Sequence, residues 1–106
     1  MHGGVVYLSG QVPDVAPGSD VAAQVASVLA AIDSALADAG SSKVRLLSAT
    51  VYLTDMAKCY AALNSAWQSW LPAGAAPART TVAGVTLAKP EWDVEISIVA
   101  AVSPPS

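Results

Sequence analysis

Arg79 is the residue with the clearest chemical potential in this sequence. It is the only charged residue in the segment 59–88, and the stretch around it, 77–82, otherwise has the pattern of a buried strand. Because an unpaired buried charge is costly, its guanidinium requires a carboxylate from a distant part of the chain or an anion from outside the protein. The planar fork of an arginine matches a carboxylate. The residue therefore indicates either an ion pair with Glu95 or Asp93, or a binding site for a carboxylate ligand.

Few other side chains are suited to covalent or metal chemistry. The only histidine is His2, close to the first residue, and the only cysteine is Cys59. This argues against a Ser-His-Asp triad, a histidine-based metal site, a cysteine nucleophile activated by histidine, and an internal disulfide. We expect no metal and no cofactor, and we interpret Cys59 as an ordinary thiol.

The composition indicates a subunit that buries part of its surface against another. Hydrophobic residues make up 54% of the 106 residues and charged residues only 12%, against about 25% charged in a typical globular domain. We assign the excess apolar surface to a subunit interface. The net charge of −3 and the scattering of the five basic residues argue against a nucleic-acid partner.

The sequence also bears on location. Its most apolar stretch, 21–36, carries polar residues at helical spacing, so we expect no membrane span. The first residues lack the charged and apolar regions of a signal peptide, and we predict a cytoplasmic protein.

The elements that must position Arg79 follow from the hydrophobic periodicity, which predicts the order strand, helix, strand, helix, strand, strand. A helix with Ser19 or Asp20 as its N-cap ends at Gly40, and Asp55 caps the second helix. The predicted strands are 4–9, which ends at Gly10, then 43–54, the segment around Arg79, and 92–101.

Two of these elements allow a prediction of which side chains are buried. Both faces of the strand 43–54 are largely apolar, so it should be covered on both sides. Its two faces carry Val44, Leu46 and Tyr52 on one side, and Leu47, Ala49, Val51 and Leu53 on the other. The apolar stripe of the second helix consists of Met56, Tyr60, Leu63, Trp67 and Trp70.

The order of elements predicts a single α+β domain over 1–106, with two helices packed on one face of a mixed β-sheet. Two layers leave the other face of the sheet uncovered. Because the last strand becomes apolar on that side at Val99 and Ala101, we expect this face to pack on another subunit. A cleft between subunits is then the natural place for a ligand.

Six short motifs, in a fixed order and spacing, give the sequence a resemblance to a known family. It resembles the Rid family of reactive-intermediate imine/enamine deaminases, also called YjgF or RidA-like, over nearly its whole length. The motifs are LSGQVP at 8–13, the helical pattern at 28–40, ATVYLTD at 49–55, LNSAW at 63–67, PARTTV at 77–82 and VEI at 94–96.

The resemblance implies a trimeric protein of chorismate-mutase-like fold with a cleft between subunits. In that cleft Arg79 would bind the carboxylate of a 2-imino or 2-enamino acid, and Glu95 would polarise the attacking water. Ser9 and Asn64 match positions that line the same site. The implied reaction is hydrolysis of a carbon–nitrogen double bond, which yields a 2-oxo acid and ammonia.

The sequence departs from the family pattern at two places. Many members carry a cysteine two residues beyond the arginine, where this chain has Thr81; a role of its backbone carbonyl in substrate binding would survive that change. The start at 3–4 has the pattern of a hairpin turn, so we expect the chain to lack the N-terminal strand of the family.

Each site residue also has a structural interpretation. A glutamate on the polar face of a strand is most often solvated, the Asn64 amide could fix its helix to a neighbouring loop, and Ser9 could serve a turn. Of other functions, we retain a non-catalytic module that binds a 2-oxo acid. A chorismate mutase is disfavoured because the only arginines are Arg45 and Arg79, and a ribonuclease because basic residues are not clustered.

Overall fold

The computed structural model describes residues 4–102 of the chain, and the predicted order of elements is confirmed. The helices and strands are β1 (Val5–Gln11), α1 (Val21–Asp38), β2 (Leu46–Leu53), α2 (Met56–Trp70), β3 (Ala78–Ala83) and β4 (Val94–Ala101). A short 3-10 helix, Lys43–Arg45, precedes β2. His2 and the first half of the predicted turn at 3–4 lie outside the described residues, while Gly4 has a φ of 79°.

The four strands form one mixed sheet in the order β1-β4-β2-β3. β4 is antiparallel to both of its neighbours, whereas β2 and β3 are parallel. The two helices pack on one face, and the core lies between them and the inward side chains of β2 and β4. The predicted α+β architecture, two helices on one face of a mixed sheet, is therefore confirmed.

Both ends of α1 are fixed by the residues that the sequence indicates. The Asp20 carboxylate accepts a hydrogen bond from the Ala23 backbone N–H at 2.8 Å, which satisfies one of the free donors of the first turn. At the other end Gly40 has a φ of 77°, and the Ser41 N–H donates to the Leu36 carbonyl at 2.8 Å. This is a Schellman-type ending, which requires the left-handed conformation that glycine adopts without strain.

α1 is also long and apolar enough to cross a membrane by length and composition, with a mean hydropathy of 1.4 over its 18 residues. One face of it, however, contributes Val25, Val28, Ile32 and Leu36 to the core under the sheet. The packing is that of a core helix in a globular domain, in agreement with the amphipathic pattern in its sequence.

The predicted strand 43–54 is wrong at its beginning. Lys43–Arg45 form the 3-10 helix, and β2 starts only at Leu46. The register with β4 shifts between Leu46 and Ser48, which leaves Leu47 as an extra residue in a β-bulge. Leu46 therefore points into the core beside Ala49, while Leu47 is 49% exposed. The sequence pattern predicts the reverse, with Leu47 on the same face as Ala49 and Leu46 on the other face, because strict alternation does not anticipate a bulge.

The second helix begins after Asp55 as predicted, and the Asp55 carboxylate accepts from the Lys58 N–H at 3.1 Å. Its predicted stripe is only partly correct, because Cys59, Leu63 and Trp67 are buried whereas Met56 and Tyr60 are exposed. The buried line runs through positions 59, 63 and 67 at four-residue spacing. Met56 occupies the first helical position, and Tyr60 lies at the border of the buried face.

The helices are joined to the sheet by a polar cluster around Asp93. Gln24 of α1, only 2% exposed, donates to the Asp93 carboxylate at 3.0 Å and accepts from the Asp93 N–H at 2.7 Å. The Thr54 hydroxyl donates to the same carboxylate at 3.1 Å, and the Lys58 ammonium pairs with it at 3.3 Å. Asp93 thus links both helices to the ends of β2 and β4.

The face of the sheet away from the helices is uncovered in a single chain, as predicted. It carries Tyr7 and Val99, which are cross-strand partners on β1 and β4, and Val82 on β3. Tyr7 is 64% exposed. These side chains make the uncovered face partly apolar.

The Asp93 cluster predicts a large stability effect for a single amide. In a Gln24→Ala variant the carboxylate loses a buried donor and the Asp93 N–H loses its acceptor, which should lower the free energy of unfolding by about 2–4 kcal/mol. Urea denaturation measures this effect. Gln68→Ala, an exposed glutamine on α2, is the matched control and should stay within about 0.5 kcal/mol of the wild type. If the two variants unfold at the same urea concentration, the hydrogen bonds between Gln24 and Asp93 do not stabilise the fold.

Candidate functional site

Arg79 lies on the edge strand β3 and points toward the helices. It is the cross-strand partner of Ala49, which in turn pairs with the buried Ile98, and side chains of paired residues share a face of a sheet. The predicted strand is confirmed, but its predicted burial is wrong. No residue of Ala78–Ala83 is fully buried, because β3 has a neighbour on one side only among the described strands.

The guanidinium of Arg79 is held by uncharged groups of α2. Its Nη2 donates to the Asn64 side-chain oxygen at 2.7 Å, and its Cζ lies 5.6 Å from the centre of the Trp67 ring. Asn64 therefore has a partner, as expected of an amide on this helix face, but that partner is Arg79 and not a loop. The result is a half-buried cation that is fixed in position without being neutralised by any carboxylate of residues 4–102.

Of the two alternatives for Arg79, the ion pair with Asp93 or Glu95 is not formed within one chain. Among residues 4–102 the only pair of opposite charges within 4.0 Å is Lys58 with Asp93. On β2, Arg79 is paired with Ala49 and Glu95 is paired with Tyr52. Ala49 and Tyr52 are three residues apart, and side chains at an odd spacing on a strand lie on opposite faces. Glu95 therefore points to the uncovered face while Arg79 points to the helices.

Thr81 lies two residues beyond Arg79 on β3 and points to the same side of the sheet, opposite Val51. Its hydroxyl oxygen is buried and has no hydrogen-bond partner among the described residues. A buried hydroxyl without a partner costs about 1–3 kcal/mol. One face of β3 therefore carries two polar groups that lack a partner among the described residues: the Arg79 guanidinium has no counter-ion, and the Thr81 hydroxyl has no hydrogen bond.

Glu95 belongs to a second group on the uncovered face, together with Gly10 and Ser9 of β1. The register between β1 and β4 is irregular between Leu8 and Gln11, and this irregularity brings the Gly10 backbone against the Glu95 side chain. A Cβ atom at Gly10 would lie 2.7 Å from the Glu95 Cδ and would overlap its Oε2. Ser9 is exposed beside Gly10, and its carbonyl accepts from the Gln11 amide at 2.9 Å.

The predicted site residues therefore form two separate groups in one chain. The arginine group comprises Arg79, Asn64, Trp67 and Thr81, and the glutamate group comprises Glu95, Gly10 and Ser9. The strand order places β3 and β1 at opposite edges of the sheet. β3 and β4 lie about 10 Å apart at the usual strand spacing, and the two groups also occupy opposite faces.

Sequence reasoning missed Trp67 and Gly10 as members of these groups. Trp67 was assigned to the core, although its spacing from Asn64, three positions along a helix, places the two side chains on the same face. Gly10 was interpreted only as the end of a strand. A glycine inside a strand, as in the Ser-Gly-Gln motif three residues before Pro13, is a sequence signal for a bulge.

Cys59 is not a candidate nucleophile. Its side chain is fully buried, and burial raises the pKa of the thiol above its ordinary range, so it stays protonated. The part of the chain that the structure describes contains no group of three or more His, Cys, Asp or Glu side chains that could hold a metal ion.

The fold and these two groups define a small α+β protein with a fixed, unneutralised arginine beside the edge strand of a mixed sheet. The family model described as endoribonuclease L-PSP matches residues 1–102. The chain therefore belongs to this family, which is the YjgF/RidA family that the sequence motifs indicated.

Individual relatives agree with this assignment. A RutC family protein from Haemophilus influenzae is 42% identical over 100 residues, which cover 94% of this chain and 84% of the relative. The RutC family protein YoaB from Escherichia coli is 45% identical over 103 residues, covering 96% and 86%. The crystal structure of a YjgF family member from Neisseria meningitidis superposes with a TM-score of 0.89 at 45% identity, covering 96% of this chain and 82% of that one.

The contact between Gly10 and Glu95 predicts a coupling between the two positions. Gly10→Ala should destabilise the wild type by about 0.5–1.5 kcal/mol, because the new methyl group must push the end of the Glu95 side chain out of its rotamer. In a Glu95→Ala background the same change should cost less than about 0.5 kcal/mol. Urea denaturation of the four proteins measures the coupling. Equal costs in both backgrounds would show that Glu95 does not lie against Gly10.

Proposed function

We propose that this protein hydrolyses reactive 2-imino and 2-enamino acids to 2-oxo acids and ammonia, with the substrate carboxylate bound by Arg79. The observation that carries the proposal is the state of the guanidinium. It is half-buried and held at 2.7 Å by the Asn64 amide, yet no carboxylate of the described residues lies within 4.0 Å of it. Family membership supports the same function, since the motif around Arg79 is one of those that carry the resemblance.

Arg79 is well suited to bind a small monocarboxylate. Asn64 uses only one of the five N–H donors of the guanidinium, so an edge of the fork remains for a bidentate contact. Hydrogen bonds to charged groups are worth about 1.5–3 kcal/mol each. The unpaired Thr81 hydroxyl on the same face supports the view that this side of β3 receives a polar group from outside the chain.

The reaction needs little beyond positioning. Water adds to the carbon of the C=N bond, a proton moves from the oxygen to the nitrogen, and loss of ammonia leaves the carbonyl of the 2-oxo acid. Binding of the adjacent carboxylate by Arg79 would fix the reacting carbon relative to that water, which converts a bimolecular encounter into a local one. Glu95 would hold the water and accept its proton.

Because Arg79 and Glu95 lie on opposite faces of one sheet, the proposal requires two copies of the chain. One copy would supply Arg79, Asn64 and Thr81, and its neighbour would supply Glu95 and Ser9. The partly apolar uncovered face and the low charged fraction of 12% support an oligomer, and the family resemblance favours a homotrimer. A cytoplasmic location is part of the proposal and rests on the sequence pattern alone.

A non-catalytic binding module is the second candidate, and one observation favours it. The arginine group is complete within a single chain, but no acid or base side chain among the described residues contacts it. Such a site would bind a 2-oxo acid without hydrolysing an imine. Two other activities receive less support, since a ribonuclease would need clustered basic residues and a chorismate mutase would need more cationic groups than Arg45 and Arg79 provide.

Substitution of Arg79 tests the proposed function directly. With an imine generated by an amino-acid oxidase, Arg79→Ala should lower kcat/KM for ammonia release by about 30-fold or more, because the substrate carboxylate loses its charged donors. Arg45→Ala is the matched control, since Arg45 is the other arginine and is exposed; it should remain within about twofold of the wild type.

Two outcomes of that assay would change the conclusion. If Arg79→Ala releases ammonia as fast as the wild type does, the assigned site is wrong. If the wild type binds pyruvate, the simplest 2-oxo acid, but does not accelerate ammonia release, the binding module replaces the enzyme.

The division of the site between two copies has its own test. Arg79→Ala and Glu95→Ala should each have little activity alone, whereas refolding an equal mixture of the two should recover about a quarter of the wild-type activity. This is the fraction of sites that pair an intact Arg79 with an intact Glu95 when copies of a symmetric oligomer assemble at random. A mixture that stays as inactive as its components would mean that one copy supplies both residues, and an active Glu95→Ala protein would remove Glu95 from the mechanism.

A further inference from the structure

We propose that Trp67 is a positioning residue for Arg79: its indole ring holds the guanidinium so that the open edge of the fork is presented to the ligand carboxylate. This inference rests on the proposed function for the identity of the ligand. It adds a residue to the site that the family motif at 77–82 does not include.

The geometry gives Trp67 and Asn64 complementary roles. The two side chains are three residues apart on α2 and lie on one face of the helix. Asn64 fixes the guanidinium through a hydrogen bond of 2.7 Å to Nη2, and Trp67 approaches it with its ring centre 5.6 Å from Cζ. A cation within about 6 Å of an indole centre is attracted by the ring. The long and flexible arginine side chain is thus held at two points.

The Trp67 ring is itself held by its surroundings. It is only 6% exposed, and it packs against Trp70 with ring centres 5.5 Å apart at an angle of 43°. The Trp70 indole N–H donates to the Asp33 carboxylate of α1 at 2.9 Å, and Lys43 lies 5.5 Å from the Trp70 ring centre. A row of contacts therefore runs from α1 through Trp70 and Trp67 to Arg79, so the ring cannot move away from the guanidinium without disturbing the packing of the two helices.

The chemical nature of Asn64 and Trp67, the two partners of the guanidinium, matters for binding. A carboxylate in the place of Asn64 or Trp67 would neutralise Arg79 and compete with the ligand. An amide and an indole orient the cation and leave its charge available. A leucine at position 67 would keep an apolar side chain in the core, but it would leave part of the volume of the indole empty and would offer the guanidinium no ring.

The test follows the arginine side chain directly, because the chain contains only two arginines. In ¹⁵N-labelled protein, the Nε–Hε signal of Arg79 should be shifted by the indole ring and its Nη–H signals should be separated by restricted rotation, while Arg45 gives the signals of a free side chain. Trp67→Leu should move the Arg79 signal to that of Arg45, and Trp67→Phe should keep part of the shift. Trp92→Leu is the matched control, since Trp92 also carries a cation, Lys89, at 5.3 Å, and it should leave the Arg79 signal unchanged.

Ligand binding provides the second readout. The dissociation constant for pyruvate, and the KM for the imine, should rise about 3- to 30-fold in Trp67→Leu, the range that the loss of a cation–ring contact corresponds to. Trp67→Phe should stay within about threefold of the wild type. Thermal stability is measured in parallel on each variant. If Trp67→Leu does not fold, the comparison of Trp67→Phe with the wild type carries both readouts.

The outcomes separate this inference from the proposed function. A Trp67→Leu protein that melts earlier but keeps the wild-type Arg79 signal and the wild-type dissociation constant would overturn the positioning role and leave the proposed function intact. A wild type that neither hydrolyses the imine nor binds pyruvate would overturn the proposed function. In that case the Arg79 signal in Trp67→Leu still decides whether the indole holds the guanidinium.

Discussion

The contact between the Arg79 guanidinium and the Asn64 amide is the interaction on which the site depends, and the topology of the chain is what creates it. β2, α2 and β3 form a unit in which two parallel strands are connected by a helix. Such a crossover places its helix over the two strands that it joins. Asn64 in the middle of α2 therefore lies above β3, where it meets the side chain of Arg79. An antiparallel hairpin connection would leave the arginine without an overlying helix.

The alternation of side chains then determines what the site can be. Because paired residues share a face, Arg79 follows Ala49 and Ile98 toward the helices, and Glu95 follows Tyr52 toward the uncovered face. A shift of one residue in either register would bring both charged side chains to the same face of the sheet. The observed register keeps the cation and the carboxylate apart within one chain. It thereby leaves both side chains available for a ligand, which in the proposed function would lie between two copies.

Sequence reasoning succeeded where the determinants are local and failed where they depend on register. The caps Asp20, Gly40 and Asp55 mark the helices correctly, since each acts on the backbone within a few residues of its own position. The bulge at Leu47 and the irregular pairing around Gly10 arise from long-range contacts with β4, which the pattern of one strand does not specify. The same limit explains the site. The sequence identifies Arg79 as a charge in an apolar stretch, and the family resemblance places Asn64 in the same site. The contacts of the guanidinium with Asn64 and Trp67 follow only from the placement of α2 over β3.

Arg79 and Thr81 together show how an edge strand can serve as a binding surface. β3 has no fully buried residue, so its inward side chains lie at the border of the core, where a polar group is neither fully solvated nor fully paired. Within the described chain, the buried Thr81 hydroxyl has no hydrogen-bond partner, and Arg79 has one side-chain hydrogen bond but no counter-ion. Two residues along a strand span about 7 Å, which is the length of a small organic acid. A carboxylate bound along this stretch would offset both costs, which is the physical reason to expect an anionic ligand in the proposed function.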